Sequence, residues 1–420
     1  SKTTEAIDDR SVTLYDITAA ANLRTLLSDK RQYALGKILI PSIPACDGAI
    51  FVNGDSMYPI LKSGDIVGFK GINNFSNVIY GENAQGKTNF MEAVWLMSGG
   101  KSFRGTKDRD MIGFSADAFR IESTVVNENE EVRITVACAK NNPKSTGRMA
   151  KINNGSFVSP SKIAGNFYRV IFSPVHLNII SGGPALRRKF ADACLCQMYP
   201  GFMENYRQYL HVIDQRNNFL KSIKNYDENQ QAAIFDTLDN TLASLGYEIY
   251  KQRKEFIDLL ADFAGSYYDK ISHGREKLTF VYRDMGKTRD EILKKLEYNR
   301  DRDKILGYTS AGIHREDIDI YLDGKKAGEY ASQGQQRSIV IAMKLAESDI
   351  MQQVTDVAPA VLLDDVLSEL DSARQDYLLN NIKGRQVFIT SCHIERIQLS
   401  ESKKFFVEGG KIYQDNETGR

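Results

Sequence analysis

The chain has 420 residues, 42 % hydrophobic and 26 % charged, which excludes disordered, collagenous and fibrous classes and suits two or three domains with ordinary cores. Its 55 Lys and Arg nearly cancel 54 Asp and Glu, so any attraction to nucleic acid has to come from a local basic face. Five scattered cysteines form no disulfide framework, and five isolated histidines make no metal-ligand pattern; the thiols read as reduced, and any metal should arrive with a nucleotide. No apolar run approaches the roughly 20 residues of a membrane span, and the opening SKTTEAIDDR lacks a signal-peptide plan. A cytoplasmic location is expected.

In chain order, the first feature is FVNGDSMYP around Ser56, followed by a second Gly-Asp at Gly64-Asp65. Asn77-Val78-Ile79-Tyr80 then reads as a short strand that runs into a Gly-rich loop and a helical pattern, NFMEAVWLMSG. Two alternating β-branched runs, 119–127 and 131–139, read as a hairpin across a polar turn. No proline occurs between Gly201 and Ala358, which permits long helices. Within that gap, Phe202 to Ile223 and Gln230 to Ile271 carry apolar residues at three- and four-residue intervals, so a helical lobe is expected from about 188 to 300. Asp323-Gly324 between apolar runs signals another hairpin. The last 90 or so residues alternate helix (333–353), strand (359–364), helix (372–382) and strand (386–390), the order of an α/β fold with a parallel sheet.

The chemistry begins at Gly81-Glu82-Asn83-Ala84-Gln85-Gly86-Lys87-Thr88, a GxxxxGKT sequence in the strand-loop-helix context its mechanism demands. The loop backbone would wrap a phosphate chain with its N–H groups, Lys87 would reach the β- and γ-phosphates, and Thr88 would hold Mg²⁺. The bland alternative is a Gly-rich turn that caps a helix. Ala360 to Asp365 supplies the partner such a loop needs, an apolar strand that delivers two carboxylates to one sheet edge. Asp364 suits the Mg²⁺ shell and Asp365 suits polarising an attacking water. ASQGQQRS, with Ser332, Gly334 and Gln335, is a turn opening a helix and able to bind an anion. Lys101, Arg104, Lys107 and Arg109, and separately Arg187, Arg188 and Lys189, are candidate phosphate contacts, although such runs are more often solvated faces.

Several of these pieces resemble known families. ASQGQQRS is similar to the signature loop of ABC-type ATPases, and Ser368-Glu369-Leu370-Asp371 to their D-loop. NVIYGENAQGKTNFMEA, KSFRGTKDRDMIG, IFSPVHLNIISGGPALRRKFAD, YRQYLHVIDQRNNFLK, YTSAGIHREDI and VLLDDVLSELD, taken in order, resemble RecF, the SMC/ABC-like ATPase family of bacterial DNA repair. The likeness covers about four fifths of the chain, from residue 77 on. It implies a P-loop ATPase head (77–187 and 301–420) interrupted by a helical arm (188–300). It further implies an ATP-dependent homodimer in which Lys87 and Thr88 of one copy face Ser332, Gly334, Gln335 and Asp371 of the other across ATP and Mg²⁺. Slow ATP hydrolysis, binding at junctions of duplex and single-stranded DNA, work with RecR and RecO to place RecA, and support of the SOS response are implied as well. His393 resembles the switch histidine of ABC enzymes, with a capped turn as the alternative.

Residues 1–76 differ from that family and resemble a truncated segment of the LexA/UmuD-like S24 serine peptidases, small and mostly β, whose nucleophile sits in a GDSM turn. The lysine base those enzymes carry downstream is missing here, because that region is the P-loop and its helix. Ser56 therefore reads as an inert relic, and a self-cleaving peptidase is the disfavoured alternative. A chimera of the two families without function, and a tether that binds ATP and scarcely turns it over, are the others. A head without its opening strands is expected to expose an unpaired sheet edge, unless strands of the first segment substitute.

Overall fold

The structure, a computed structural model, describes residues 76–112, 116–126, 131–140, 147–392, 394, 402–408 and 411–414, and the backbone of four earlier strands. Those strands form two antiparallel pairs: β1 (Val12–Tyr15) with β2 (Ala34–Ile38), and β3 (Gly48–Val52) with β4 (Asp65–Phe69). Ser56 and His393 lie outside the described residues. β5 (Ser76–Tyr80) feeds α1 (Lys87–Leu96). β6 (Ala118–Val126), β7 (Glu131–Ala139) and β8 (Met149–Ile152) make an antiparallel meander, and β9 (Arg169–Phe172) returns to the main sheet. α2 (Asn178–Ser181), α3 (Pro184–Met198), α4 (Pro200–Lys221) and α5 (Glu228–Ser272) follow. Next come β10 (Leu278–Arg283), α6 (Arg289–Tyr298), α7 (Arg300–Leu306), β11 (Asp317–Leu322) and β12 (Lys325–Lys326). The chain closes with α8 (Ala327–Tyr330), α9 (Gln333–Thr355), β13 (Ala360–Asp364), α10 (Ser372–Asn381), β14 (Val387–Ser391), β15 (Ser402–Glu408) and β16 (Lys411–Gln414).

The main sheet has the order β16-β15-β5-β14-β13-β9, parallel throughout except for the final β15–β16 hairpin. Strands of this kind are covered on both faces and read as continuous apolar runs. RVIF, AVLLD and VFITS are buried at every position. Their alternation sorts the side chains: Phe172, Val361, Leu363 and Ile389 join a core with the helices α3, α4, α5 and α9, while Ile171, Leu362 and Phe388 join a second core with α1 and the β6–β8 meander. β5 lies between β14 and β15, so the P-loop strand is paired on both sides. β3, for its part, runs beside β6.

The arm matches its sequence pattern closely. α5 starts on a capping box in which Asp227 and Gln230 exchange side-chain and backbone bonds, and at about 1.5 Å per residue its 45 residues span roughly 67 Å. It stops at His273 and Gly274, both left-handed (φ 56° and 71°). Between that stop and residue 300 lie β10, which pairs antiparallel with β11, and the helix α6. No helix among the described residues is long and apolar enough to cross a membrane.

Buried ion pairs tie the arm together. Arg216, fully buried, donates to Asp239 at 2.8 Å, Asp303 at 2.6 Å and the Thr309 hydroxyl at 3.1 Å, joining α4, α5 and α7. Arg253 on α5 donates to both oxygens of Asp192 on α3, at 2.8 and 2.9 Å, and to Glu316 at 3.1 Å. Removing one member of such a network strands charges in a medium that cannot solvate them. Arg216→Met is therefore expected to cost about 3–5 kcal/mol, read as a lowered urea midpoint at neutral pH; a shift within about 0.5 kcal/mol would contradict it.

His314 sits beside this network, its Nδ1 3.0 Å from the Tyr209 hydroxyl and its Nε2 3.1 Å from the Thr309 carbonyl. Burial outweighs the carbonyl, which favours the charged ring, and with the nearby Arg315 and Arg188 charges pushes its pKa from 6.5 down to about 4. The unfolded chain thus takes up a proton on this ring before the folded one does. The contribution is fully present above about pH 6.5, falls away as pH drops through about 4, and amounts to roughly 3 kcal/mol at most. Unfolding titrations of wild type and His314→Gln are expected to differ in pH slope between those limits, and parallel curves would contradict the assignment.

Candidate nucleotide-binding site

Gly81 ends β5 against β15, and a Cβ there would lie 2.3 Å from the Val407 carbonyl oxygen, so no other residue fits. The loop then turns through two left-handed positions, Ala84 (φ 63°) and Gly86 (φ 107°), before α1 begins. Such a backbone turns successive N–H groups towards one point at a helix N-terminus. Glu82, Asn83 and Ala84 are exposed, and Gln85 and Gly86 half-buried. Lys87 opens the helix with its side chain buried. Its ammonium donates to the carbonyls of Gly81 and Glu82, both at 2.7 Å, and to the Cys392 sulfur at 3.4 Å, while Cys392 donates to Asn83 Oδ1 at 2.9 Å. The positive charge is held in the mouth of the loop.

Parallel register brings the second half of the site to the same edge. Asp364 is opposite Thr390, and Ser391 opposite Tyr80, the residue before Gly81. Thr88 and Thr390 both donate to Asp364 Oδ1, at 3.1 and 2.9 Å, and the Asp365 N–H donates to Thr390 Oγ1 at 3.0 Å. Burial pushes the Asp364 carboxyl above its ordinary range, against the two hydroxyl donations; the Asp365 charge adds to the shift and Arg104 opposes it. A buried carboxylate beside a hydroxyl is the donor set for a hard cation, and Thr88 and Asp364 fit Mg²⁺. Asp365 has a left-handed backbone (φ 52°), uncommon for a non-glycine, and its carbonyl and carboxylate accept from Ser368 Oγ at 2.8 and 3.1 Å. Thr390 was not among the residues singled out from sequence; its role depends on a cross-strand neighbour that sequence does not display.

Ser332 caps α9: its hydroxyl accepts from the Gln335 N–H at 3.3 Å, and the Gln335 side chain accepts from the Ser332 N–H at 2.7 Å. Ser332 and Gln333 are exposed and Gly334 is half-buried. Asp371 caps α10, accepting from the Arg374 N–H at 2.9 Å. That bond, and next the Arg374 guanidinium, hold its carboxyl below the usual range. Arg374 also donates to Ser338 Oγ at 2.8 Å, joining α10 to α9. The hydrogen bonds of Ser332, Gln335 and Asp371 run within their own helices and to Glu276, none of them to the P-loop.

The basic candidates separate. Lys101 is exposed, its carbonyl accepting from the Trp95 indole at 2.7 Å. Arg104 folds back on α1, donating to Glu92 at 2.6 Å and Asn89 at 2.9 Å, close enough for its charge to be felt at Asp364. Arg187 is committed to both oxygens of Asp317, at 2.8 and 3.0 Å, and to the Gly182 carbonyl at 2.6 Å; Arg188 donates to the Glu316 carbonyl at 2.5 Å. These two half-buried arginines seam α3 to the start of β11. The run of charge gave no hint of partners about 130 residues away.

Comparison with known proteins agrees with this layout. Residues 68–408 match the RecF/RecN/SMC N-terminal domain family, beginning before the junction placed at 77. The "DNA replication and repair protein RecF" of Lachnoclostridium phytofermentans is 36 % identical over 346 residues, covering 80 % of this chain and 93 % of that protein. The protein of the same name from Agathobacter rectalis is 38 % identical over 346 residues, covering 80 % and 92 %. A solved structure of a RecF–ATP complex, described as a recombination mediator of the RecFOR pathway, superposes with a TM-score of 0.79 at 30 % identity, covering 89 % of this chain and 99 % of that one. The family match leaves the residues before 68 uncovered, and the peptidase resemblance rests on their sequence alone. By sequence, by fold and by the order of its nucleotide-site elements, the chain belongs to the RecF family.

Proposed function

We propose that the chain is a RecF-type DNA replication and repair protein that binds ATP, hydrolyses it slowly and uses the bound nucleotide to close a homodimer on DNA. The single observation that supports this most is the meeting of Thr88, Asp364, Thr390 and Asp365 in one hydrogen-bonded set beside the Lys87 loop. ATP bound there would supply a γ-phosphate open to attack by water. Lys87 would leave the Gly81 and Glu82 carbonyls for phosphate oxygens, and Gly81 to Gly86 would present backbone N–H groups to the same chain of phosphates. Thr88 and Asp364 would hold Mg²⁺, and Asp365, fixed through its N–H to Thr390 and through Ser368, would orient the water. Arg104, next to Asp364, would face this centre more readily than DNA.

Ser332, Gly334, Gln335 and Asp371 make no hydrogen bond to the P-loop, and the exposed Ser332 cap of α9 would suit a γ-phosphate presented by a second copy. Two composite sites then form by a two-fold arrangement, and nucleotide stabilises the dimer because it touches both copies. Hydrolysis removes that contact and opens the dimer. For DNA, Lys101, Lys107 and Arg109 are exposed cations after α1, and Lys189 is exposed on α3 beside the half-buried Arg187 and Arg188. RecR, RecO and RecA are the partners that family membership suggests. The GDSM turn at Ser56 is given no role, since no lysine base accompanies it.

Sedimentation with and without Mg-ATP tests this reading. Wild type is expected to pass from monomer to dimer with nucleotide and Lys87→Ala to stay monomeric. A dimer unaffected by nucleotide or by the substitution would overturn it.

A further inference from the structure

The turn that leaves the arm touches the start of α9. Gln335 uses its side-chain oxygen on the Ser332 N–H and its amide nitrogen on Glu276, donating to Oε1 at 2.6 Å. Glu276 Oε2 in turn accepts from the Tyr268 hydroxyl at 2.7 Å. Tyr268 is buried in the last turns of α5, and Glu276 follows the two left-handed residues that end that helix. One carboxylate therefore bridges the cap of α9 and the longest helix of the arm. Further along, Tyr267 donates to Asp349 of α9, so the two helices are fastened at a second level.

The geometry has a chemical consequence. A glutamine that caps its own helix is ordinarily free to swing its amide, and Ser332 and Gln335 face solvent enough for that. Here the amide is held by a charged acceptor, and hydrogen bonds to ionised groups are shorter and about twice as strong as neutral ones. Glu276 is held on its other oxygen by a phenol whose pKa burial, followed by Glu276 itself, raises, so Tyr268 stays a donor. Arg374, which joins α10 to Ser338, lies near enough for its charge to be felt at Tyr268. The cap of α9 is thus tied to the end of α5.

We propose that Glu276 is a positioning residue for the Ser332–Gln335 half-site, locking the cap of α9 to the arm so that it is pre-shaped for nucleotide held by a second copy. The assignment rests on the composite-dimer reading above. Because the cap would serve the other copy's nucleotide, Glu276 affects dimerisation and turnover without affecting nucleotide binding at its own P-loop.

The test uses full-length protein with three substitutions: Glu276→Ala, Glu276→Gln and Tyr268→Phe. Binding of a fluorescent ATP analogue to dilute monomer is measured beside ATP-dependent dimerisation and steady-state hydrolysis. Glu276→Ala is expected to bind the analogue as wild type does, while dimerisation weakens and kcat falls by about ten-fold, the usual effect of losing one charge-assisted hydrogen bond. Glu276→Gln, whose amide oxygen still accepts from Gln335 while the Tyr268 hydroxyl turns to accept from its amide nitrogen, is expected to restore part of the loss, short of what the carboxylate charge contributed. If Glu276→Ala does not fold, Tyr268→Phe, which removes only the hydroxyl, carries the same test with a smaller expected loss. Wild-type dimerisation and turnover in Glu276→Ala, or equal loss in Glu276→Gln, would overturn the assignment alone. A wild type that stays monomeric with ATP would overturn the dimer reading and this assignment with it.

Discussion

Asp364 faces Thr390 across one strand pair, and Ser391 faces Tyr80 across the next. Because β13, β14 and β5 are parallel and adjacent, their C-terminal ends fall on one edge, and everything chemical in the molecule is referred to that edge. A slip of one residue in either pairing would exchange the inward and outward sets of side chains, placing Leu363 where Asp364 now stands. The slip is prevented by the cores on both faces: Val361 and Leu363 are needed on one side and Leu362 on the other. Apolar alternation in a buried strand thereby fixes a carboxylate to within hydrogen-bonding reach of Thr88.

The arm is built on a different principle. Its helices pack through an apolar stripe, and Arg216 and Arg253 then pin them with carboxylates from α3, α5, α7 and the turn before β11. Charges buried in this way add little net stability over apolar packing, yet are costly to break, so they favour one arrangement of the helices over its neighbours. The same directional bonding continues through Tyr268 and Glu276 to the cap of α9. A rigid arm is therefore joined to the ATPase head at the surface proposed to meet a second copy.

Much of this was legible in the residues. The P-loop, the acidic strand and the capped turn at Ser332 announce themselves because their chemistry requires particular side chains at short spacing, and the two long arm helices because period 3.6 persists over many turns. Long-range partnerships were less legible. Arg216 and Arg253 sit in stretches rich in charge, where a buried guanidinium looks like a solvated one. Arg187 and Arg188 read as a basic patch until Asp317 and the Glu316 carbonyl are brought alongside. β10, LTFVYR, is short and follows a long helix, so its pairing with β11 became visible only when the chain folded back. The pairing of β5 with β15, a strand from the other end of the sequence, was likewise not legible.

In the proposed dimer two copies build each site, one giving Lys87 and the other Ser332. Mixing Lys87→Ala with Ser332→Arg protein and measuring ATP hydrolysis tests it directly. Each variant alone lacks one half of every site, whereas a mixed dimer retains one complete site, formed by the P-loop of the Ser332→Arg copy and the α9 cap of the Lys87→Ala copy. The account predicts hydrolysis in the mixture well above the sum of the separate variants, rising and falling with their mixing ratio. Activity equal to that sum at every ratio would contradict it.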